Sequence, residues 1–395
     1  MARNLRIAVL FGLAMVAWVD SAALHAQALF EQTDLFVGGQ DNYNTYRIPA
    51  VICTKSGTVL AFSEGRRDES EDGVPTDIVL KRSLGNAGQW KPAYVSPKGE
   101  GRSKHNTMMW LPMQTVIRSA HGEAYMNPVP VIDQKDGTIY LLVNLYPQPY
   151  KDAPADIWVI KSTDEGATWS QPIDITPGTG QHELGPGVGI QLQSGTLMVQ
   201  HYKGVVFSDD HGKNWKSGGE APGDFNESQV VELADGSLLF SRRHAPNRVM
   251  MISKDEGESW TQPVANPYLP DPDCEGSLIR YTRQDQGYSK NRLLFSNPVS
   301  GAIGAGTVES DPRGRFNITV RLSYDEGKTW PVAKLIRKGP GAYSSMTVLP
   351  DGSVSILFET GETYGGYADH YGKLVFARFN VEWLTDGEDH LNRDH

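Results

Sequence analysis

The chain has 395 residues, 39% of them hydrophobic and 21% charged, which supplies apolar side chains for one large core. A formal net charge of −10 argues against a nucleic-acid partner. Two cysteines, Cys53 and Cys274, make no disulfide framework, and the ten histidines are too scattered for a metal-ligand cluster, so neither metal nor cofactor is expected.

Residues 1–28 read as a secretory signal. Arg3 and Arg6 precede the apolar run from Ile7 to Val19, and small residues follow up to Ala26-Gln27-Ala28, with cleavage expected after Ala26 or Ala28. The apolar run is short for a membrane span of about 20 residues. The expectation is therefore a secreted or periplasmic protein with no obligate membrane span after cleavage. Losing Arg3, Arg6 and Asp20 would take the net charge from −10 to −11. No Pro/Ser linker or charge block divides residues 29–395, which read as a single domain.

Four segments of that domain repeat Ser-x-Asp-x-Gly-x-x-Trp. They are Ser162-Asp164-Gly166-Trp169, Ser208-Asp210-Gly212-Trp215, Ser253-Asp255-Gly257-Trp260 and Ser323-Asp325-Gly327-Trp330. A short Ser or Asp side chain can hold a tight turn closed through nearby N–H groups, Gly supplies a positive φ, and the Trp buries a large ring against the sheet. The first three copies start 46 and 45 residues apart, a blade-like period, and the fourth follows after 70. A degenerate copy runs from Ser83 to Trp90, with Gly85 in the Asp position.

Between the copies lie short apolar, β-rich runs, among them Thr58–Phe62, Thr138–Val143, Ser237–Leu238-Leu239-Phe240 and Ser353–Phe358. Three of these follow Asp-Gly turns at Asp136-Gly137, Asp235-Gly236 and Asp351-Gly352. With no long helical period after the N-terminus, the pattern predicts an all-β fold, a β-propeller of four-stranded blades whose number the spacing leaves open.

A propeller is a platform, so function has to come from non-repeating residues. Tyr46-Arg47-Ile48-Pro49, followed by these repeats, resembles the bacterial exo-α-sialidases over essentially the whole of residues 29–395. Asn127-Pro128-Val129-Pro130, Gly185-Pro186-Gly187-Val188-Gly189 and Asn226-Glu227-Ser228 carry the same likeness. The resemblance implies six blades, no cofactor, and hydrolysis of terminal sialic acids from glycoproteins, glycolipids or oligosaccharides by a monomer.

It also implies roles, residue by residue. Arg47, Arg243 in Phe240-Ser241-Arg242-Arg243 and Arg315 in Gly314-Arg315-Phe316 match three arginines that hold the substrate carboxylate, with Arg242 as a one-residue alternative to Arg243. Planar guanidinium forks suit a carboxylate, so the local charge opposes the net charge. Tyr343 in Gly341-Ala342-Tyr343 matches the nucleophile, Glu227 its base, and Asp72, on the acidic turn Asp68 to Asp72, the acid. Sialic acid carries a carboxylate on its anomeric carbon, which would repel an anionic nucleophile but not a neutral phenol. Glu359 is matched to a partner that orients Arg47, and Arg66 to a position near the sugar. Met108, Met109 and Trp110 are candidates to line an apolar pocket. Two other readings stay open: transfer of sialic acid rather than hydrolysis, and a non-catalytic glycan-binding scaffold.

Overall fold

Each Ser-x-Asp-x-Gly-x-x-Trp copy closes the hairpin between the third and fourth strands of a blade. In the first copy, Ser162 Oγ accepts the Gly166 N–H at 2.8 Å and donates to Asp164 Oδ1 at 2.8 Å, and Asp164 accepts the Thr168 N–H at 2.9 Å. The other three copies repeat the Ser-to-Gly bond at 2.8–2.9 Å. The four glycines have φ between 73° and 93°, and the residues before them, Glu165, His211, Glu256 and Glu326, have φ of 52–61°. Two consecutive left-handed residues match the twist of the flanking strands.

The residue before the glycine also reaches the preceding blade. Glu165 accepts from Thr58 Oγ1 at 2.7 Å, and His211 Nδ1 lies 2.8 Å from Asp133 Oδ2. Glu256 accepts from Thr196 Oγ1 at 3.1 Å, and Glu326 accepts the Ala234 N–H at 2.8 Å. Thr58, Asp133, Thr196 and Ala234 all lie in or beside the turn that joins the first two strands of the previous blade. The repeat therefore fixes its own hairpin and one neighbour.

The computed structural model describes residues 27–84, 108–148, 150, 154–299, 314–364 and 367–392. Six four-stranded antiparallel blades follow one another around an axis. Their inner strands are Thr45–Cys53, Ala124–Ile132, Ile190–Gln191, Ser228–Glu232, Ser277–Thr282 and the second half of Val332–Val348. The first half of Val332–Val348 is the outer strand of the fifth blade, so one continuous strand passes from that blade into the sixth. The ring closes when Phe30–Val37 pairs antiparallel with Lys373–Phe379, from Phe30↔Phe379 to Val37↔Lys373 with one shift of register between Asp34 and Phe36. Among the described residues the α-helices are single turns, Thr176–Thr179 and Val381–Leu384, and no helix is long and apolar enough to cross a membrane.

Apolar side chains of adjacent blades interlock between the sheets. Trp169 sits edge-on to Phe62 of the first blade at 5.8 Å, and Trp215 meets Tyr140 of the second at 5.9 Å. Cys53 and Cys274 are free thiols at opposite ends of the axis. Cys274 is buried beside Tyr343, and Cys53 lines an axial cavity of about 660 Å³ at the far ends of the inner strands. The signal-like residues 1–26, and Gly85 to Trp90 of the degenerate repeat, lie outside the described residues.

A buried ion cluster ties the last described segment to the fifth blade. Asp389 accepts from Arg292 Nε and Nη2 at 2.8 Å each, from Lys290 at 2.9 Å and from the Tyr324 hydroxyl at 2.9 Å. Burial opposes its charge, but these donors prevail and lower its carboxyl to about 2. A depressed carboxyl stabilises the fold above its unfolded value, near ~3.9, and that share disappears as the pH falls to about 2. The pH-dependent share is about 2 kcal/mol. Unfolding free energies of the parent protein and Asp389→Asn should therefore converge between pH 5 and pH 2; a gap that ignores pH would count against the assignment.

Candidate active site

The inner strands all begin at one end of the propeller, and the residues singled out in the sequence gather there. Arg47 lies in the first inner strand, Glu227 directly before the fourth, and Tyr343 in the sixth. Arg243 follows the second strand of the fourth blade, Leu238–Arg242, and Arg315 precedes the third strand of the fifth, Phe316–Ser323. Glu359 lies on the second strand of the sixth blade, Val354–Thr360, and Arg66 ends the second strand of the first, Val59–Arg66.

Tyr343 is the hub of this arrangement. Its hydroxyl donates to Glu227 Oε1 and accepts from Arg243 Nη1 at 3.1 Å, and Arg243 Nη1 also donates to Glu227 Oε2 at 2.6 Å. The guanidinium carbons of Arg47 and Arg315 lie 5.2 and 5.8 Å from the Tyr343 ring centroid. Burial and the adjacent Glu227 push the phenol well above its ordinary value, while Arg243, Arg315 and Arg47 pull it down. The resting group is thus a neutral phenol already hydrogen-bonded to a carboxylate. Such a pair can pass a proton as the phenol oxygen forms a bond.

Glu359, fully buried, organises the next layer. It accepts from Arg47 Nε at 3.0 Å, from the Ile48 N–H at 2.9 Å and from the Tyr343 N–H at 3.1 Å. Burial works against the charge of Arg47, but Glu359 holds its pKa well above the ordinary value. Burial likewise opposes Arg243, which Glu227, Tyr343 and Asp273 keep raised. Three guanidiniums converging from separate blades on one open face can bind a carboxylate through directional, charge-assisted bonds.

Arg242, the one-residue alternative, faces elsewhere. Its side chain is fully buried, donates to the carbonyls of Pro222, Tyr202 and Phe225, and lies over the Phe225 ring. Arg243 is the member of the pair at the Tyr343 hydroxyl. Asp72 lies on the exposed turn after Val59–Arg66, its side chain 52% accessible. Arg66 Nη2 holds it at 2.8 Å, and Arg47 Nη1 lies 3.9 Å away.

The structure moves Met108, Met109 and Trp110 away from this site. Met109–Trp110 pairs with the far end of Thr76–Leu84, at Ser83↔Trp110, whereas the site end of that strand is Thr76. The Trp110 ring packs edge-on against Phe376 at 5.1 Å, so hydrophobic packing between strands placed it there.

Three further residues went unnoticed in the sequence. The Tyr371 ring lies 3.8 Å from the Arg47 guanidinium, and its hydroxyl accepts from Arg315 Nη1 at 3.3 Å. Asp273 joins two arginines: its carboxylate accepts from Arg243 Nε at 2.9 Å and its carbonyl from Arg315 Nη2 at 2.6 Å. Glu64 grips Arg66 at 2.6 Å through Nη2. Glu64 and Arg66 stand two apart on one strand, hence on one face, a signal the alternation contained. Tyr371 and Asp273 lie in loops and carry no such period.

Residues 57–356 match the family model of the BNR repeat-like domain. The chain is 30% identical to the sialidase of Micromonospora viridifaciens over 91% of its own length, but spans only 55% of that relative. It is 29% identical to an exo-alpha-sialidase of Aspergillus fumigatus, covering 87% of this chain and 86% of that one. Among solved structures, the Hadza microbial sialidase Hz136 superposes with a TM-score of 0.71 at 25% identity, over 89% of this chain and 69% of that one. The intramolecular trans-sialidase from Ruminococcus gnavus shares the fold at a TM-score of 0.67 and 19% identity, over 89% of this chain and 98% of that one.

Proposed function

We infer the function from a premise that the family match supplies: the chain belongs to the Asp-box, or BNR-repeat, sialidase family of glycoside hydrolases. We propose that it is an exo-α-sialidase, which hydrolyses terminal α-linked sialic acids from glycoproteins, glycolipids or oligosaccharides with retention of configuration. The observation that carries this reading is the Tyr343 hydroxyl held between Glu227 and Arg243, with Arg47 and Arg315 beside the ring. In this reading residues 29–395 form one catalytic domain, acting as a monomer outside the cytoplasm after residues 1–28 are removed.

Arg47, Arg243 and Arg315 bind the substrate carboxylate, and Arg66 lies near the sugar. Asp72 leaves its ion pair with Arg66, takes up a proton from solvent and passes it to the leaving oxygen as the anomeric C–O bond breaks. Tyr343 Oη bonds to the anomeric carbon while Glu227 takes the phenol proton. Water, deprotonated by Asp72, then displaces Tyr343, which recovers its proton from Glu227. Splitting the substitution into two steps gives net retention.

The direct test is release of free sialic acid from α2,3-, α2,6- and α2,8-linked substrates, with the anomer first formed read by NMR. Release of the α anomer supports the proposal; no release from any linkage rejects it. An anhydro or transferred product would instead identify transfer.

Asp72 can be tested separately through the leaving group. General acid catalysis contributes about 10²–10⁴-fold. Asp72→Ala should lose about that factor on natural sialosides but far less on an aryl sialoside whose phenol leaves without a proton. Equal losses on both would remove Asp72 from the acid role.

A further inference from the structure

Behind Tyr343 lies a carboxyl group that the reaction above leaves unused. Glu275, two residues before the inner strand Ser277–Thr282, is 2% exposed. Its Oε2 accepts the Ser344 N–H at 3.0 Å, and its Oε1 has no hydrogen-bond partner among the described residues. The strand it touches is irregular at that point. Pairing with Val354–Thr360 jumps from Gly341↔Thr360 to Ser344↔Phe358, which inserts one extra residue around Tyr343. Amides at such a bulge lose regular ladder partners and need others. Two buried glutamates supply them: Glu359 takes the Tyr343 N–H at 3.1 Å and Glu275 takes the Ser344 N–H.

We propose that Glu275 is a positioning residue for Tyr343: together with Glu359 it fixes the bulge that aims the phenol at Glu227 and the three arginines. This rests on the reading of Tyr343 as nucleophile. Glu275 comes from the fifth blade and Glu359 from the second strand of the sixth, so the two hold the backbone from different sides.

Its own charge state follows from its surroundings. A single N–H is little compensation for a buried anion. Burial pushes the Glu275 carboxyl well above the carboxylate range; the Ser344 N–H and Arg248 oppose this, and Glu227 and Glu359 add to it. Arg248 is itself paired with Asp271 at 3.1 Å, and the adjacent Cys274 thiol is also raised by burial. Glu275 therefore serves as an uncharged acceptor, holding the backbone without adding another anion behind a tyrosine that already has Glu227 and Glu359 beside it.

An amide should replace such a group and a methyl should not. Glu275→Gln is expected to keep kcat within about twofold, whereas Glu275→Ala should lower kcat about ten- to a hundredfold with KM nearly unchanged. Binding of an unreactive dehydro-sialic acid analogue at parental affinity would show that Glu275→Ala still folds. Native-state hydrogen exchange gives a readout without turnover: the Ser344 amide should exchange about tenfold faster or more in Glu275→Ala and at the parental rate in Glu275→Gln. Parental kcat and exchange in Glu275→Ala, or a loss in Glu275→Gln as large as in Glu275→Ala, would overturn the proposal. If the parent protein releases no sialic acid, the functional reading fails, while the exchange comparison still confirms or overturns the tether to Ser344.

Discussion

Tyr343→Phe is expected to lower kcat on any sialoside by about three to six orders of magnitude, the range seen when other covalent nucleophiles are removed. The substitution deletes one oxygen from the group on which the proposed two-step reaction depends. It should disturb the fold little, because Glu227 keeps its 2.6 Å ion pair with Arg243 when the phenol is gone. The ring also remains, along with its packing against Ile48, Cys274 and Ala342. A large fall in kcat with a nearly unchanged melting temperature is thus the predicted signature. Affinity for an unreactive carboxylate-bearing analogue should stay within a few-fold, since Arg47, Arg243 and Arg315 are intact. A mechanism-based fluorinated sialic acid should label the parental peptide containing Tyr343, as read by mass spectrometry. Full activity in Tyr343→Phe, or a label on another residue, would end the nucleophile assignment.

The repeat made the architecture readable because its chemistry is local. Ser162, Asp164 and Gly166 close one turn through bonds spanning four residues, and such bonds leave a fixed spacing in the chain. What the spacing left open was non-local. The sixth blade joins Phe30–Val37 to Lys373–Phe379, and it contains no repeat copy. The 70-residue interval before the fourth copy includes the sequence that separates the strands Arg292–Asn297 and Phe316–Ser323, which ends at Arg315 beside the site. The role of Glu165, His211, Glu256 and Glu326 was hidden for a different reason. That position is Glu in three copies and His in one, and its backbone constraint, a positive φ, is one that glycine would ordinarily announce.

The site divides along the same line. Arg47, Glu227, Arg243, Arg315, Tyr343 and Glu359 were found only by likeness to a family, since no period links residues that meet across four blades. Arg242 and Arg243 differ in which side of a strand end faces the axis, and that Arg242 is held by the Pro222, Tyr202 and Phe225 carbonyls is not written in their spacing. Tyr371, Asp273 and Glu275 escaped because each acts through a partner: an arginine for the first two, a backbone amide for the third. Nothing in an isolated Asp, Glu or Tyr records such a partner.

Arg47→Ala should cost both activity and stability, and the two losses can be separated. Arg47 faces the open site on one side and Glu359 on the other, with Tyr371 stacked on its guanidinium at 3.8 Å. Truncating one member of a buried charged pair typically costs about 3–5 kcal/mol, because the partner is left buried and uncompensated. Glu359, fully buried, would retain, among the described residues, the Ile48 and Tyr343 N–H groups. Unfolding free energy should fall by about that amount, and Arg47→Ala/Glu359→Gln should recover part of it by removing the stranded charge. Catalysis should not recover. A charge-assisted contact to the substrate carboxylate contributes about 1.5–3 kcal/mol, so kcat/KM should drop at least tenfold to a hundredfold in both variants. Affinity for the carboxylate-bearing analogue should fall in parallel. Recovery of both stability and kcat/KM in the double variant would mean that Arg47 only neutralises Glu359. Recovery of stability alone separates its two duties: structural partner to a buried glutamate, and ligand for an anion that arrives from solvent.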